Sequence, residues 1–126
     1  MNPVVLNVLR WHVWLAKELF GFTPRFLSGF RTREQQTDLF RGVVFTPNPV
    51  ALPGTSQHEF GFAYDLAPDV QPGNAEYSET LHQLSHLGLA LGMRWGGAAD
   101  PQHWQVFPRT VWQQIVGATS PRQGVA

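Results

Sequence analysis

The amino-acid sequence predicts an α+β domain in which helices pack on a small antiparallel sheet. Three observations carry the prediction. Apolar patterns of helical and strand period are interleaved in the order helix, strand, helix, loop, strand, helix, strands, helix. The 126 residues suit one domain, which at this length buries about two-thirds of the surface that its unfolded chain exposes. No internal repeat, low-complexity tract or linker divides the chain. Residues 1–117 therefore read as a single domain and residues 118–126 as a flexible tail.

Residues 4–20 place Val4, Val5, Val8, Leu9, Trp11, Leu15, Leu19 and Phe20 on a wide helical stripe, with Asn7, Arg10, Lys17 and Glu18 largely opposite. This predicts a core-packing helix that ends near Gly21. "RFLSGF" (25–30) is short and aromatic, as a strand is. "TREQQTDLFRG" pairs Thr32 as N-cap with Gln35 three residues on, a capping-box pattern, and Gly42 stops the helix. Pro47, Asn48, Pro49, Pro53 and Gly54 make residues 43–57 an irregular loop leading up to His58. "FAYDLA" (62–67) alternates as a strand, with Ala63 and Asp65 on one face and Phe62, Tyr64 and Leu66 on the other. Ser78 is placed to cap a helix through Leu81, Leu84, Leu87 and Leu91 that ends at Gly92. "MRW" and "HWQVF" read as two short strands around a glycine-rich turn, and "PRTVWQQIV" as a last helix with Pro108 in its first turn.

Composition narrows the chemistry. There is no cysteine, so disulfides and thiolate zinc sites are excluded and any metal must be held by histidine and carboxylate. Nine basic and nine acidic residues sum to zero formal charge, which leaves no electrostatic footprint for nucleic acid or an anionic membrane. The apolar start is broken by Arg10, His12, Lys17 and Glu18, well short of the roughly 20 apolar residues that span a bilayer. Its first basic residue is Arg10 and no A-x-A pattern follows, so synthesis in the cytoplasm without a signal peptide is expected.

The residues that could do chemistry cluster in two stretches. A zinc site without thiolates needs imidazole or carboxylate ligands, and a catalytic one uses three of them. His58 and Asp65 can supply two. An unbroken strand would send side chains seven apart to opposite faces, so the pair converges only if the backbone bends, and Gly61 lies between them to allow it. "DPQH" (100–103) has the sequence of a type I turn, which brings Asp100 close to His103. His103 is then a natural third ligand, and Asp100 sits where a carboxylate could accept a proton.

These stretches resemble a known family. "SGFR" (28–31), a following helix containing "QQ", "SQHEFGFAYD" with the pattern S-x-H-x-x-G-x-A-x-D, "MRWGG" and "DPQHW" look like the VanY-type zinc D-alanyl-D-alanine carboxypeptidases. Close relatives are the L-alanyl-D-glutamate endopeptidases of bacteriophage endolysins. The resemblance runs over about residues 25–107, and its second motif places five fixed positions in ten residues. It implies that His58, Asp65 and His103 bind one zinc ion and that Asp100 is the general base. It also implies that Arg31 stabilises an oxyanion or grips a substrate carbonyl or carboxylate, and that Ser56 hydrogen-bonds the substrate. The implied fold is of the Hedgehog/DD-peptidase type, with zinc in a surface groove. The implied partner is the peptide stem of peptidoglycan; with no signal peptide or membrane anchor read in the sequence, a monomeric endolysin-type endopeptidase that acts on the cell wall after release is expected. D-alanyl-D-alanine carboxypeptidase activity is the alternative within the class, and a non-catalytic zinc-containing wall-binding module the alternative outside it. Only "AA" separates "WGG" from Asp100, where family members often carry a longer insertion, so one wall of the groove is shortened.

Other residues compete for attention. His82 and His86 have the spacing of a helical metal pair, but the glutamate of an H-E-x-x-H motif is missing, which favours a surface or packing role. Glu59 adjoins His58 and, on an extended segment, would point away from it. Trp95 and Trp104 flank the motifs and suit either a core or an aromatic groove wall against substrate. Gly96 and Gly97 suit a tight turn or a close approach of substrate backbone.

Overall fold

A computed structural model describes residues 1–46 and 49–119. Helix α1 (Pro3–Leu15) starts on Asn2, whose side chain accepts from the Val4 and Val5 amides, with Pro3 in the first turn. It widens into a π-helical turn (Ala16–Phe20) and stops at Gly21, whose φ of 76° is left-handed. Strand β1 (Arg25–Ser28), helix α2 (Arg33–Phe40), strand β2 (Ala63–Ala67), helix α3 (Tyr77–Ala90), strands β3 (Arg94–Trp95) and β4 (His103–Gln105), and helix α4 (Arg109–Thr119) follow. The predicted capping box at Thr32 is present. Pro47 and Asn48 of the expected loop, and residues 120–126 of the expected tail, lie outside the described residues; α4 itself extends two residues past the predicted domain end.

The four strands pair antiparallel in the order β1-β2-β4-β3. The register sorts side chains onto two faces. Tyr64, Leu66 and Trp104 point into the core, where Val5, Leu9 and Ala16 of the first helix and Leu84 and Leu87 of α3 cover them. Fully burying a side chain such as Leu66 or Leu84 contributes about 1.5–3 kcal/mol. Gly88 of α3 is required here, because a Cβ would collide with the Trp104 ring. The opposite face carries Ser28, Asp65 and His103 in one row and Ala63, Gln105 and Arg94 in the next.

Three local expectations are corrected. The buried stripe of α1 and its π turn is Val5, Leu9, His12 and Ala16, so Val4 (72% exposed), Trp11 and Leu19 face outward. The stripe is rotated because His12 finds buried hydrogen-bond partners and can turn inward. Ser78 lies inside α3, and Glu76 occupies the cap position without a side-chain bond. His58 sits on a 3-10 turn (Gln57–Phe60), not on an extended segment.

Candidate metal centre and substrate cleft

The turn that carries His58 is tied down at both ends. Ser56 Oγ accepts from the His58 amide, and Glu59 reaches back to the Ser56 amide, closing a capping box. Glu59 also accepts from the Gly54 amide and, at 2.7 Å, from Arg33 Nε. Its carboxylate is thus committed to holding this turn. Gly61 ends the turn at φ 75°, and a Cβ there would come within 2.8 Å of the Asn2 nitrogen. Only glycine adopts this conformation in so little space, and it brings the chain from the His58 turn into β2 with Asp65 on the same side.

A register shift between Phe26 and Ser28 sets Ser28 opposite Asp65. On the other side of Asp65 stands His103, its direct partner in β4. The turn that delivers His103 forms as expected, with the His103 amide donating to the Asp100 carbonyl at 3.1 Å. Gly97 takes φ 74°, and a Cβ on Gly96 would strike the Asp100 carbonyl; the two glycines serve a tight turn.

Three donor atoms converge. His58 Nε2 lies 3.2 Å from His103 Nδ1 and 3.4 Å from Asp65 Oδ1, and His103 Nδ1 lies 3.2 Å from Asp65 Oδ1. Tetrahedral zinc with bonds of about 2.0–2.1 Å needs ligand atoms about 3.3 Å apart. The triangle has the size of one face of that tetrahedron. Among the described residues no other three His, Asp or Glu donors are so gathered.

The remaining atoms of each of the three side chains are held. His58 Nδ1 meets the Gly29 carbonyl at 2.7 Å. A carbonyl only accepts, so Nδ1 carries the hydrogen and Nε2 presents its lone pair. His103 Nε2 meets Gln105 Oε1 at 2.7 Å, and Gln105 Nε2 donates to the Phe107 carbonyl. This fixes the amide orientation, so His103 Nε2 is the N–H and Nδ1 is open. Outer partners of this kind set tautomer and ring direction in metal sites. Asp65 Oδ2 accepts from Ser28 Oγ at 2.5 Å and from Arg31 Nη2 at 3.2 Å, leaving Oδ1 toward the centre.

The electrostatics follow from this packing. Burial alone would raise the Asp65 pKa, but hydrogen bonds and charge from His103 and His58 bring it well below the usual carboxylate range. Burial alone would lower His103, but the Asp65 contact outweighs it and the imidazole titrates above its ordinary value. Burial raises the Asp100 carboxyl, with His103 opposing and Asp65 reinforcing the shift. Burial lowers the Arg31 guanidinium while Asp65 and Asp100 oppose; a group with so high a starting pKa stays charged.

Arg31 donates to Gln36 Oε1 as well as to Ser28 and Asp65. Its first duty is to brace Asp65. Gln36 is fully buried and passes the restraint on to the Ala51 carbonyl. Gln57 clasps Phe107 through both its amide atoms, joining the His58 turn to the segment that carries Gln105. The sequence reading missed all three glutamines as site residues. Only Gln105 left a usable signal, since two residues after His103 on a strand means the same face.

A cleft of about 1020 Å³ encloses the centre. Its lining includes His58, Asp65, His103, Asp100, Arg31, Ser56 and Trp95, so these predicted site residues share one space. Trp104 is the exception: it is fully buried beneath Trp95, stacked at 6.3 Å. It cannot touch a substrate, because it alternates with His103 and is wholly covered on the core face; its partner Trp95 packs on that core too but stays partly exposed at the cleft. His82 and His86 lie on exposed positions of α3, with Nε2 atoms 2.9 Å apart, and take no part in the cleft.

Neither a protein-family model nor a curated protein sequence matches the chain. Solved structures do. The vancomycin-resistance D,D-pentapeptidase VanY in complex with Zn(II) superposes with a TM-score of 0.65 at 20% identity, over 92% of this chain and 78% of that one. The L,D-carboxypeptidase DacB from Streptococcus pneumoniae gives 0.62 at 22%, over 98% and 76%. The Serratia marcescens L-Ala D-Glu endopeptidase ChiX gives 0.55 at 21%, over 88% and 84%. At these identities the likeness is one of fold, and it is the fold that the sequence motifs led us to expect.

Proposed function

We propose that this chain is a zinc-dependent peptidase that hydrolyses an amide bond in the peptide stem of bacterial peptidoglycan. The observation that carries the reading is the His58–Asp65–His103 triangle, sized for a tetrahedral ion and open toward a cleft that also holds a carboxylate and a guanidinium. Zinc, when bound, supplies a Lewis acid that polarises a carbonyl and makes water acidic at neutral pH. His58 Nε2, Asp65 Oδ1 and His103 Nδ1 would hold it.

The chain's own residues supply the rest. Asp100 lines the same cleft as His103, His58, Asp65 and Arg31. It is the base that takes a proton from the attacking water and hands it to the departing amine, a role favoured by its raised pKa. Arg31 keeps Asp65 turned toward the centre and presents the edge of a permanent cation to charge developing on the carbonyl oxygen. Ser56 lines the cleft, and although its hydroxyl already accepts the His58 amide, its hydrogen and second lone pair are left for a substrate.

Within this class we favour an endopeptidase cutting L-alanyl-D-glutamate bonds in bacteriophage lysis. A cleft at the upper end of the roughly 300–1,000 Å³ range of small-ligand pockets leaves room for peptide on both sides of the cut bond. The second reading is a carboxypeptidase, supported by the fold likeness to the VanY and DacB structures. Digesting purified peptidoglycan with zinc-loaded protein and a chelator-treated control, with mass spectrometry of the fragments, separates them. New chelator-sensitive amino termini support the endopeptidase; release of terminal amino acids alone supports the carboxypeptidase; an intact wall overturns both.

A further inference from the structure

Two arginines in the cleft have no part in the chemistry above. Arg94 is exposed on β3, and Arg109 opens α4; both line the same space as the metal centre. Among the described residues the arginine ion pairs are Arg31–Asp65 and Arg33–Glu59, so neither cleft arginine is paired with a carboxylate of those residues. The two acidic groups lining the cleft, Asp65 and Asp100, are placed at the metal end. A chain with zero net charge thus concentrates two uncommitted guanidinium groups beside its reaction centre.

The sheet register places Arg94 closely. It is the direct partner of Gln105, on the face that carries His103 and Asp65. His103 is the diagonal neighbour, and such pairs lie about 7–8 Å apart. Gly96 follows two residues on from Arg94, its amide donating to the His103 carbonyl and the Asp100 carbonyl packed where a Cβ would stand, so Arg94 is the side chain that this strand adds to the cleft on that face. One extended peptide residue spans about 3.3 Å, so a group one or two residues from the cut bond reaches the Arg94 position. An arginine fork matches a carboxylate in two parallel hydrogen bonds.

We propose that Arg94, with Arg109, forms a carboxylate-binding subsite that reads an acidic group one or two residues from the bond cut at the metal centre. The substrate class is then an anionic peptide. The inference rests on the peptidase reading for its catalytic half alone. The carboxylate has two sources in a stem peptide: the second carboxyl of D-glutamate, or the free C-terminus.

The test uses a synthetic stem pentapeptide in three forms: fully free, amidated at the D-glutamate carboxyl, and amidated at the C-terminus. Hydrolysis and calorimetric binding are measured on zinc-loaded wild type, Arg94→Gln, Arg94→Lys and Arg109→Gln. One amidation is expected to lower kcat/KM in the wild type by about ten- to a hundredfold, the worth of a charged hydrogen-bond pair, chiefly through KM, and identifies the source. In Arg94→Gln that penalty should shrink to less than about threefold, with Arg94→Lys intermediate and zinc content intact. Equal handling of all three peptides by the wild type would overturn the subsite, as would discrimination that survives in both glutamine variants. Loss of zinc from Arg94→Gln would also overturn it, by showing that Arg94 acts through Gln105 and His103. If nothing is cut but the free peptide still binds at least tenfold more tightly than an amidated one, the subsite stands and the peptidase reading falls.

Discussion

His12 and His103 stand on opposite sides of one sheet and were put to opposite uses. His12 is fully buried under the strands, with Nε2 on the Leu84 carbonyl at 2.9 Å and Nδ1 on the Tyr64 hydroxyl at 2.8 Å. Both nitrogens are taken, and burial pushes its pKa down to about 4 despite the carbonyl. His103 has one nitrogen fixed by Gln105 and the other left open beside Asp65 and His58. A histidine becomes a ligand when its surroundings satisfy one nitrogen and leave a lone pair with company. When both are satisfied it is a polar core residue, and its neutral form is what the fold requires.

The contrast can be broken most severely at the cleft. His103→Ala should remove a ligand outright, reducing zinc affinity by more than the roughly 10–100-fold typical of an outer-shell loss and abolishing hydrolysis, as metal analysis and peptide digestion would show. Asp100→Asn should leave zinc in place and lower kcat by about two to four powers of ten; unchanged turnover would remove Asp100 from the proton path. Gln105→Leu should leave the ligand set whole yet cost about 10–100-fold in zinc affinity, because His103 loses the acceptor that fixes its tautomer.

His12 makes the opposite prediction, one of stability and not of metal. The unfolded chain takes up this proton below about pH 6.5, whereas the folded protein resists until about pH 4. In that window the unfolded state binds more protons, so stability falls as pH drops from 6.5 to 4 and is flat in this component below it. The loss amounts to roughly 3 kcal/mol. In denaturant melts the stability lost between pH 6.5 and pH 4 should be greater for wild type than for His12→Gln by that amount, and parallel curves would show that His12 is not held neutral.

Much of this was legible beforehand. The spacing of His58, Gly61 and Asp65 pointed to a bend with glycine at its hinge, and the Asp100–His103 turn is set by local chemistry that needs no distant partner. What escaped depended on contacts between elements. His12 looked like a polar interruption of the first helix because its partners, Tyr64 and Leu84, lie 52 and 72 residues away. Trp104 could be wall or core until the register with Tyr64 and Trp95 turned it inward. Gln36 and Gln57 stand in the quoted "QQ" and "SQHEF" stretches, but their partners, Arg31, Ala51 and Phe107, lie in other segments, so their local sequence gave them no role.

The most direct test of the metal centre is a zinc titration of the metal-free protein with simultaneous measurement of released protons. The geometry predicts one zinc per chain and, because the ion competes with a proton for His103 Nδ1, whose pKa the Asp65 contact raises, proton release that grows as pH is lowered. Apparent affinity should fall by about tenfold per pH unit for each proton displaced, and His103→Ala should abolish the stoichiometric binding. A full equivalent of zinc bound by His103→Ala, or no binding by the wild type, would contradict the account.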